Sequence, residues 1–154
     1  AAALASVMAL FTAIEEFGWR GFALPQLQAR WNALVSSLIL GVIWAVWHLP
    51  LWFLAGSSQQ GTSFWPFLGN LLLLSILYTW VFNNTNGSVL LAAVLHGAGN
   101  AWIGGYIDVY RGNFGGVVAF MVVSVIVSII IVLMAGPTNL SRTNERNVLK
   151  FEEG

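Results

Sequence analysis

This chain predicts an all-α, polytopic bundle of transmembrane helices, and three observations carry that prediction. Of its 154 residues 58% are hydrophobic and 8% charged, against roughly 25% charged in an ordinary soluble domain. No Asp, Glu, Lys or Arg occurs from Trp31 through Ile107, a stretch too long for a soluble fold that must cover its surface with charge. Polar clusters then divide the chain into five apolar segments close to the ~20 residues a helix needs to cross a bilayer. Backbone exposed to lipid must be helical to satisfy its own hydrogen bonds. The composition also excludes function classes: zero Cys removes disulfide and thiolate chemistry, and a net charge of zero gives no footprint for nucleic acid.

The elements follow in order. Segment A covers about Ala2 to Trp19, and Arg20 to Asn32, with Pro25, Gln26, Gln28 and Arg30, reads as an amphipathic connector lying at the interface. Segment B runs from about Ala33 to Ala55, bent in its last turn by Pro50, and Gly56 to Ser63 is a loop. Segment C takes about Phe64 to Phe82, Asn83 to Gly87 turns the chain, and segment D takes about Ser88 to Ile107, followed by a loop at Asp108 to Asn113. Segment E, Phe114 to Ala135, is rich in Val and Ile and reads as a lipid-facing wall that ends at Gly136-Pro137. The membrane domain is thus expected over residues 1–136, with a polar tail over 137–154. The start, apolar and without an initiator Met or a signal-peptide pattern, reads as that of a larger membrane protein lacking its N-terminal helices. Arg20, Arg30, Arg142, Arg146 and Lys150 fall on one side and Arg111 alone on the other, which puts the tail in the cytoplasm by the positive-inside rule.

Ionisable side chains inside spanning segments cost about 2.5–3.5 kcal/mol each on insertion scales and therefore mark candidate sites. The first place is Glu15-Glu16-Phe17-Gly18-Trp19-Arg20. Glu16 and Arg20, at i and i+4, can pair, while Glu15 points about 100 degrees away, so one carboxylate can be held by Arg and the other left for chemistry, and their adjacency in poor solvent suits one of them to act as a base. The second is His48, with Trp44 one turn earlier on the same face. The third is His96-Gly97-Ala98-Gly99-Asn100, where His96 and Asn100 again share a face beside the small-residue stripe Ala93, Gly97 and Ala101.

Each place alone also reads blandly: as interfacial charge, as a satisfied core imidazole, or as a Gly-rich packing seam. Together they hold the only His residues of the chain and the only carboxylates upstream of Asp108. A Glu can deprotonate water, His can bind a metal or hold that water, and His with Asn can donate to an oxyanion. That inventory suggests hydrolysis of an amide or ester, and no H-E-x-x-H, G-x-S-x-G or P-loop competes with it. Axial rise sets one difficulty: His96 falls roughly 12 Å from the cytoplasmic helix end and His48 about 22 Å from it, unless segment B starts near Ser37, tilts, or meets a Glu pair set deeper.

These residues resemble the family of type II CAAX prenyl endopeptidases and bacteriocin-processing or bacteriocin-immunity membrane proteins, known as CPBP or Abi. Its motifs E-E-x-x-x-R, F-x-x-x-H and H-x-x-x-N are matched in order by Glu15, Glu16 and Arg20, by Trp44 and His48 with Trp in place of Phe, and by His96 and Asn100. The resemblance covers roughly Leu10 to Gly105. It implies an intramembrane endopeptidase in the plasma membrane of a prokaryote, acting on a peptide or protein substrate that is lipid-modified or membrane-associated. In it Glu15 would activate water, His48 would position that water or bind metal, His96 and Asn100 would stabilise the oxyanion, and Glu16 and Arg20 would support them. The resemblance leaves zinc and a metal-free glutamate mechanism both open. Two competing readings are a non-catalytic immunity or scaffold protein that keeps the motifs, and a transporter whose Glu and His relay protons.

Overall fold

In the computed structural model, the described residues are 14–112 and 114–142, with the backbone alone described over 101–117. Most of segment A, residue 113 and the tail from 143 onward lie outside them. Every described element is a helix. A π-helix, Phe17–Ala23, leads directly into α1, Leu24–Gln28. Then come α2 (Ala33–His48), a short 3-10 turn (Leu49–Trp52), α3 (Phe64–Asn84), α4 (Val89–Gly112) and α5 (Phe114–Ala135). Among the described residues, three stretches are long and apolar enough to cross a membrane: Ala33–Trp52, Phe64–Asn84 and Val118–Ala135, with the shorter apolar stretch Val89–Asn100 beside them. The 21 residues of α3 span about 32 Å, close to the ~30 Å hydrocarbon core.

The starts of the long helices follow local chemistry. Asn32, in extended conformation, accepts the Val35 N–H at 2.8 Å and so caps α2. Two more of the first amides of α2 are satisfied from far along the chain, by Thr138 O at 2.9 Å and Pro137 O at 3.0 Å, which answers the need of a helix start for outside acceptors. The α3–α4 reversal uses Asn86 at φ 52° and Gly87 at φ 74°, left-handed conformations suited to Asn and Gly. The Gly87 N–H returns to Phe82 O at 3.0 Å. The largest helix pairing is α2 against α3. It is close because Gly41 has no side chain: a Cβ there would sit 3.0 Å from the Leu72 Cα.

One refinement of the sequence reading and two corrections emerge. The connector from Arg20 is helical with one buried and one exposed face, and its buried face packs into the bundle. Helix continues to Gln28 and buries Arg20, Leu24, Pro25 and Gln28, because Pro25 sits at the start of α1 where its missing N–H is not needed. Segment B ends as α-helix at His48, and Pro50 lies in the 3-10 turn that follows. The loop expected at Asp108 to Asn113 is helical through Gly112, and α5 begins at Phe114. The first residues of the expected polar tail also pack onto the bundle: Leu140 is fully buried, and Asn83 and Asn84 donate to Asn139 O and Leu140 O at 2.7 and 3.0 Å. Segment E does present the apolar wall anticipated, with Val122, Val123, Ile126, Ile130 and Leu133 exposed. A face of that composition is compatible with lipid rather than water.

Candidate active site

The long first helix explains where the carboxylates sit. Glu16 lies twelve residues before the end of α1 at Gln28, about 18 Å along a helix, so the Glu pair is set deep in the bundle and not at a helix end near Trp19. The deeper Glu pair accounts for part of the depth difficulty, while His48 stays one turn beyond Trp44 on α2. Segment B does begin at Ala33, and the Glu pair instead reaches the level of Trp44 and His96.

Glu16 is the hub. Its Oε1 accepts from Arg20 Nη1 at 3.0 Å and from His96 Nδ1 at 2.8 Å, and all three side chains are buried. Its Oε2 is buried and has no hydrogen-bond partner among the described residues. A carboxylate oxygen only accepts, so His96 donates through Nδ1–H, which fixes the ring and assigns Nε2 to other contacts. The Glu16–Arg20 pairing expected from the i, i+4 spacing is therefore present. The π-helix carries Arg20 and begins just after Glu16, which is its N-cap residue, and its wider turn is a local departure of the kind often found at functional sites.

Arg20 is held from its faces as well as its end. Its guanidinium lies 5.1 Å from the Trp44 ring centroid and 5.0 Å from that of Tyr78, within cation–π range of both. Its Nη2 reaches Ser75 Oγ at 3.4 Å. Tyr78 and Ser75 went unnoticed in the sequence. The signal for them was the i+4 series Ser75, Thr79, Asn83 along α3, a buried polar stripe on an apolar helix, with Tyr78 next to it.

Glu15 is held differently. It is half-buried, and its Oε2 accepts from the indole Nε1–H of Trp44 at 3.2 Å. Trp44 also stands between the two imidazoles, edge-on to His96 at 5.0 Å and to His48 at 6.1 Å between ring centroids. His48 Nδ1 meets the Trp44 carbonyl at 2.9 Å. A carbonyl cannot donate, so Nδ1 carries the proton and Nε2 the lone pair. Packing against Trp47 and Phe67 fixes the His48 ring further. Asn100 is half-buried one turn beyond His96 on α4. The structure thus brings Glu15, Glu16, Arg20, Trp44 and His96 into direct mutual contact and places His48 one turn farther along α2.

The donor set does not fit a metal cage. Glu16 Oε1 is engaged by Arg20 and His96, and among the described residues no three His, Asp or Glu side chains gather as metal ligands would. What the arrangement offers is a half-exposed carboxylate, two oriented imidazoles and an amide, backed by a buried ion pair.

Comparison with known proteins identifies the family. Residues 1–102 match the family model described as type II CAAX prenyl endopeptidase Rce1-like. A protein named CAAX prenyl protease 2 from Methanococcus maripaludis is 33% identical over 96 residues, covering 58% of this chain and 35% of that protein. The chain therefore spans about a third of the length of that curated relative. No solved structure matches it significantly. The match covers both the Glu pair and the two imidazoles, and the chain belongs to the Rce1-like family of type II CAAX prenyl endopeptidases.

Proposed function

We propose that this protein is an intramembrane endopeptidase in which Glu15 activates the attacking water. The observation that carries the reading is the division of labour between the two adjacent carboxylates. Glu16 is spent on Arg20 and His96 in full burial, whereas Glu15 is half-buried and, among the described residues, held at one oxygen. Glu15 takes a proton from water, and His48, through the lone pair on Nε2, accepts from the same water and positions it. The oxygen attacks the scissile carbonyl carbon. His96, in its doubly protonated form, offers Nε2–H to the developing oxyanion while Glu16 balances its charge, and the Asn100 amide supplies a second donor. As the tetrahedral intermediate collapses, the C–N bond breaks and the leaving amine takes the proton that Glu15 had accepted. No step in this sequence is routed through a metal.

The relative's name suggests the substrate class: a protein C-terminus carrying a prenylated CAAX sequence. The apolar bundle suits it, since such an end partitions into the bilayer. The test is cleavage of a fluorogenic farnesylated CAAX peptide by the full-length protein in lipid nanodiscs. Wild type is expected to release the terminal tripeptide, and Glu15→Gln and His96→Ala to lose that activity at matched folding. Retention of activity by both variants would overturn the assignment and favour an immunity or scaffold role.

A further inference from the structure

Where the family's second motif has Phe, this chain has Trp44, and the exchange adds one polar group in the middle of the site. We infer that Trp44 is a positioning residue for Glu15: its indole N–H binds one carboxylate oxygen and thereby dictates that the other receives the proton from water. This inference rests on the reading of Glu15 as the base.

Three observations support it. The donor and acceptor lie 3.2 Å apart, Nε1 to Oε2. Trp44 is itself 2% exposed and clamped on several sides, so its N–H has a fixed direction. Ala45, Leu71 and Tyr78 surround it in the core, Arg20 lies over its ring, and His96 and His48 contact its edges. Glu15, by contrast, is half-buried at the end of three rotatable bonds, and a flexible carboxylate gains most from one rigid donor. With Oε2 engaged, Oε1 becomes the proton acceptor, so two equivalent oxygens become one base in one orientation. A Phe at residue 44 would keep an aromatic surface for Arg20 and the imidazoles and would supply no donor. The substitution that looks conservative in shape is a change in chemistry.

The experiment has a kinetic arm and a spectroscopic arm, both on the full-length protein in nanodiscs. In the first, Trp44→Phe is assayed on the farnesylated CAAX peptide. Loss of one charge-assisted hydrogen bond that acts through orientation lowers kcat about tenfold and leaves KM within about twofold. A fall carried by KM, or an unchanged kcat, overturns the inference. In the second, tryptophans are labelled with 15N in the indole ring, and the Trp44 signal is assigned by its loss in Trp44→Phe. In Glu15→Ala the Trp44 N–H resonance moves upfield, while those of Trp31 and Trp65 stay. An unmoved Trp44 signal overturns the inference, and should Trp44→Phe fail to fold, the inference is overturned when no indole N–H signal moves in Glu15→Ala. Glu15→Gln separates the two readings. If it cleaves the peptide normally the proposed base is wrong, whereas the indole signal reports on the hydrogen bond independently of activity.

Discussion

Replacing Glu16 by Gln keeps the shape of the side chain and removes its charge, which isolates what that charge does. In the wild type Glu16 Oε1 accepts from Arg20 at 3.0 Å and from His96 at 2.8 Å, and Glu16 and Arg20 are both fully buried. The neutral variant leaves the Arg20 guanidinium buried without its hydrogen-bonded carboxylate, and the Trp44 and Tyr78 rings on either side of it offset only part of that loss, about 1–2 kcal/mol each when desolvated. Breaking one partner of a buried pair costs about 3–5 kcal/mol, roughly a fifth or more of the ~5–15 kcal/mol that holds a typical domain together. Glu15→Gln, at a half-buried position with a single 3.2 Å bond, should cost only about 1 kcal/mol. The neighbouring carboxylates should therefore separate cleanly. Unfolding in mixed lipid–detergent micelles is expected to show Glu16→Gln strongly destabilised and Glu15→Gln close to wild type. Peptide cleavage should fall ~10²–10⁴-fold in Glu15→Gln, the range for a removed general base, and about 10²-fold per folded molecule in Glu16→Gln through misplacement of His96. A Glu16→Gln protein that unfolds with wild type and cleaves at the wild-type rate would refute the hub assignment.

Two further substitutions test the scaffold. Gly41→Ala places a methyl 3.0 Å from the Leu72 backbone and 3.2 Å from Leu71 O, so α2 and α3 must part, at about 1–3 kcal/mol, read as a lowered unfolding midpoint. Asn83→Ala removes the reciprocal bonds with Gln28 at 3.0 and 3.1 Å and the 2.7 Å bond to Asn139 O. It should destabilise by about 1–3 kcal/mol while leaving kcat per folded molecule unchanged in the peptide assay.

The sequence revealed some boundaries sharply and others poorly, for physical reasons. Asn32, Ser63 and Gly136-Pro137 bracket α2, α3 and the end of α5 because caps and breakers act locally. Asp108 to Gly112 misled because polar composition marks where a chain can meet water, and a helix can continue there. Arg20, Leu24 and Gln28 carry the i, i+4, i+8 spacing of one buried face, yet Pro25 and the polar residues around it suggested an interruption. At the site, the Glu16–Arg20 pair was readable from spacing alone. That Glu16 also takes His96, eighty residues away, depends on how deep the first helix runs, which no local pattern encodes. The role of Trp44 was hidden for a different reason: comparing Trp with Phe as aromatics ignores the one atom that distinguishes them here.

The chain closes one end of its bundle late. The amides of Ala33 and Leu34 find their acceptors at Thr138 and Pro137, and Arg142 N–H bonds Asn84 Oδ1 at 2.9 Å. During translation at about 5–20 residues per second, the first turn of α2 emerges roughly 5–20 s before the residues that satisfy it. Helices α2, α3 and α4, with both imidazoles and Trp44, therefore meet while that end is still open to water. Only a chain elongated past Thr138 seals it, so a ribosome that stops before Pro137 releases a product with the site residues present and the Ala33 and Leu34 amides without these acceptors.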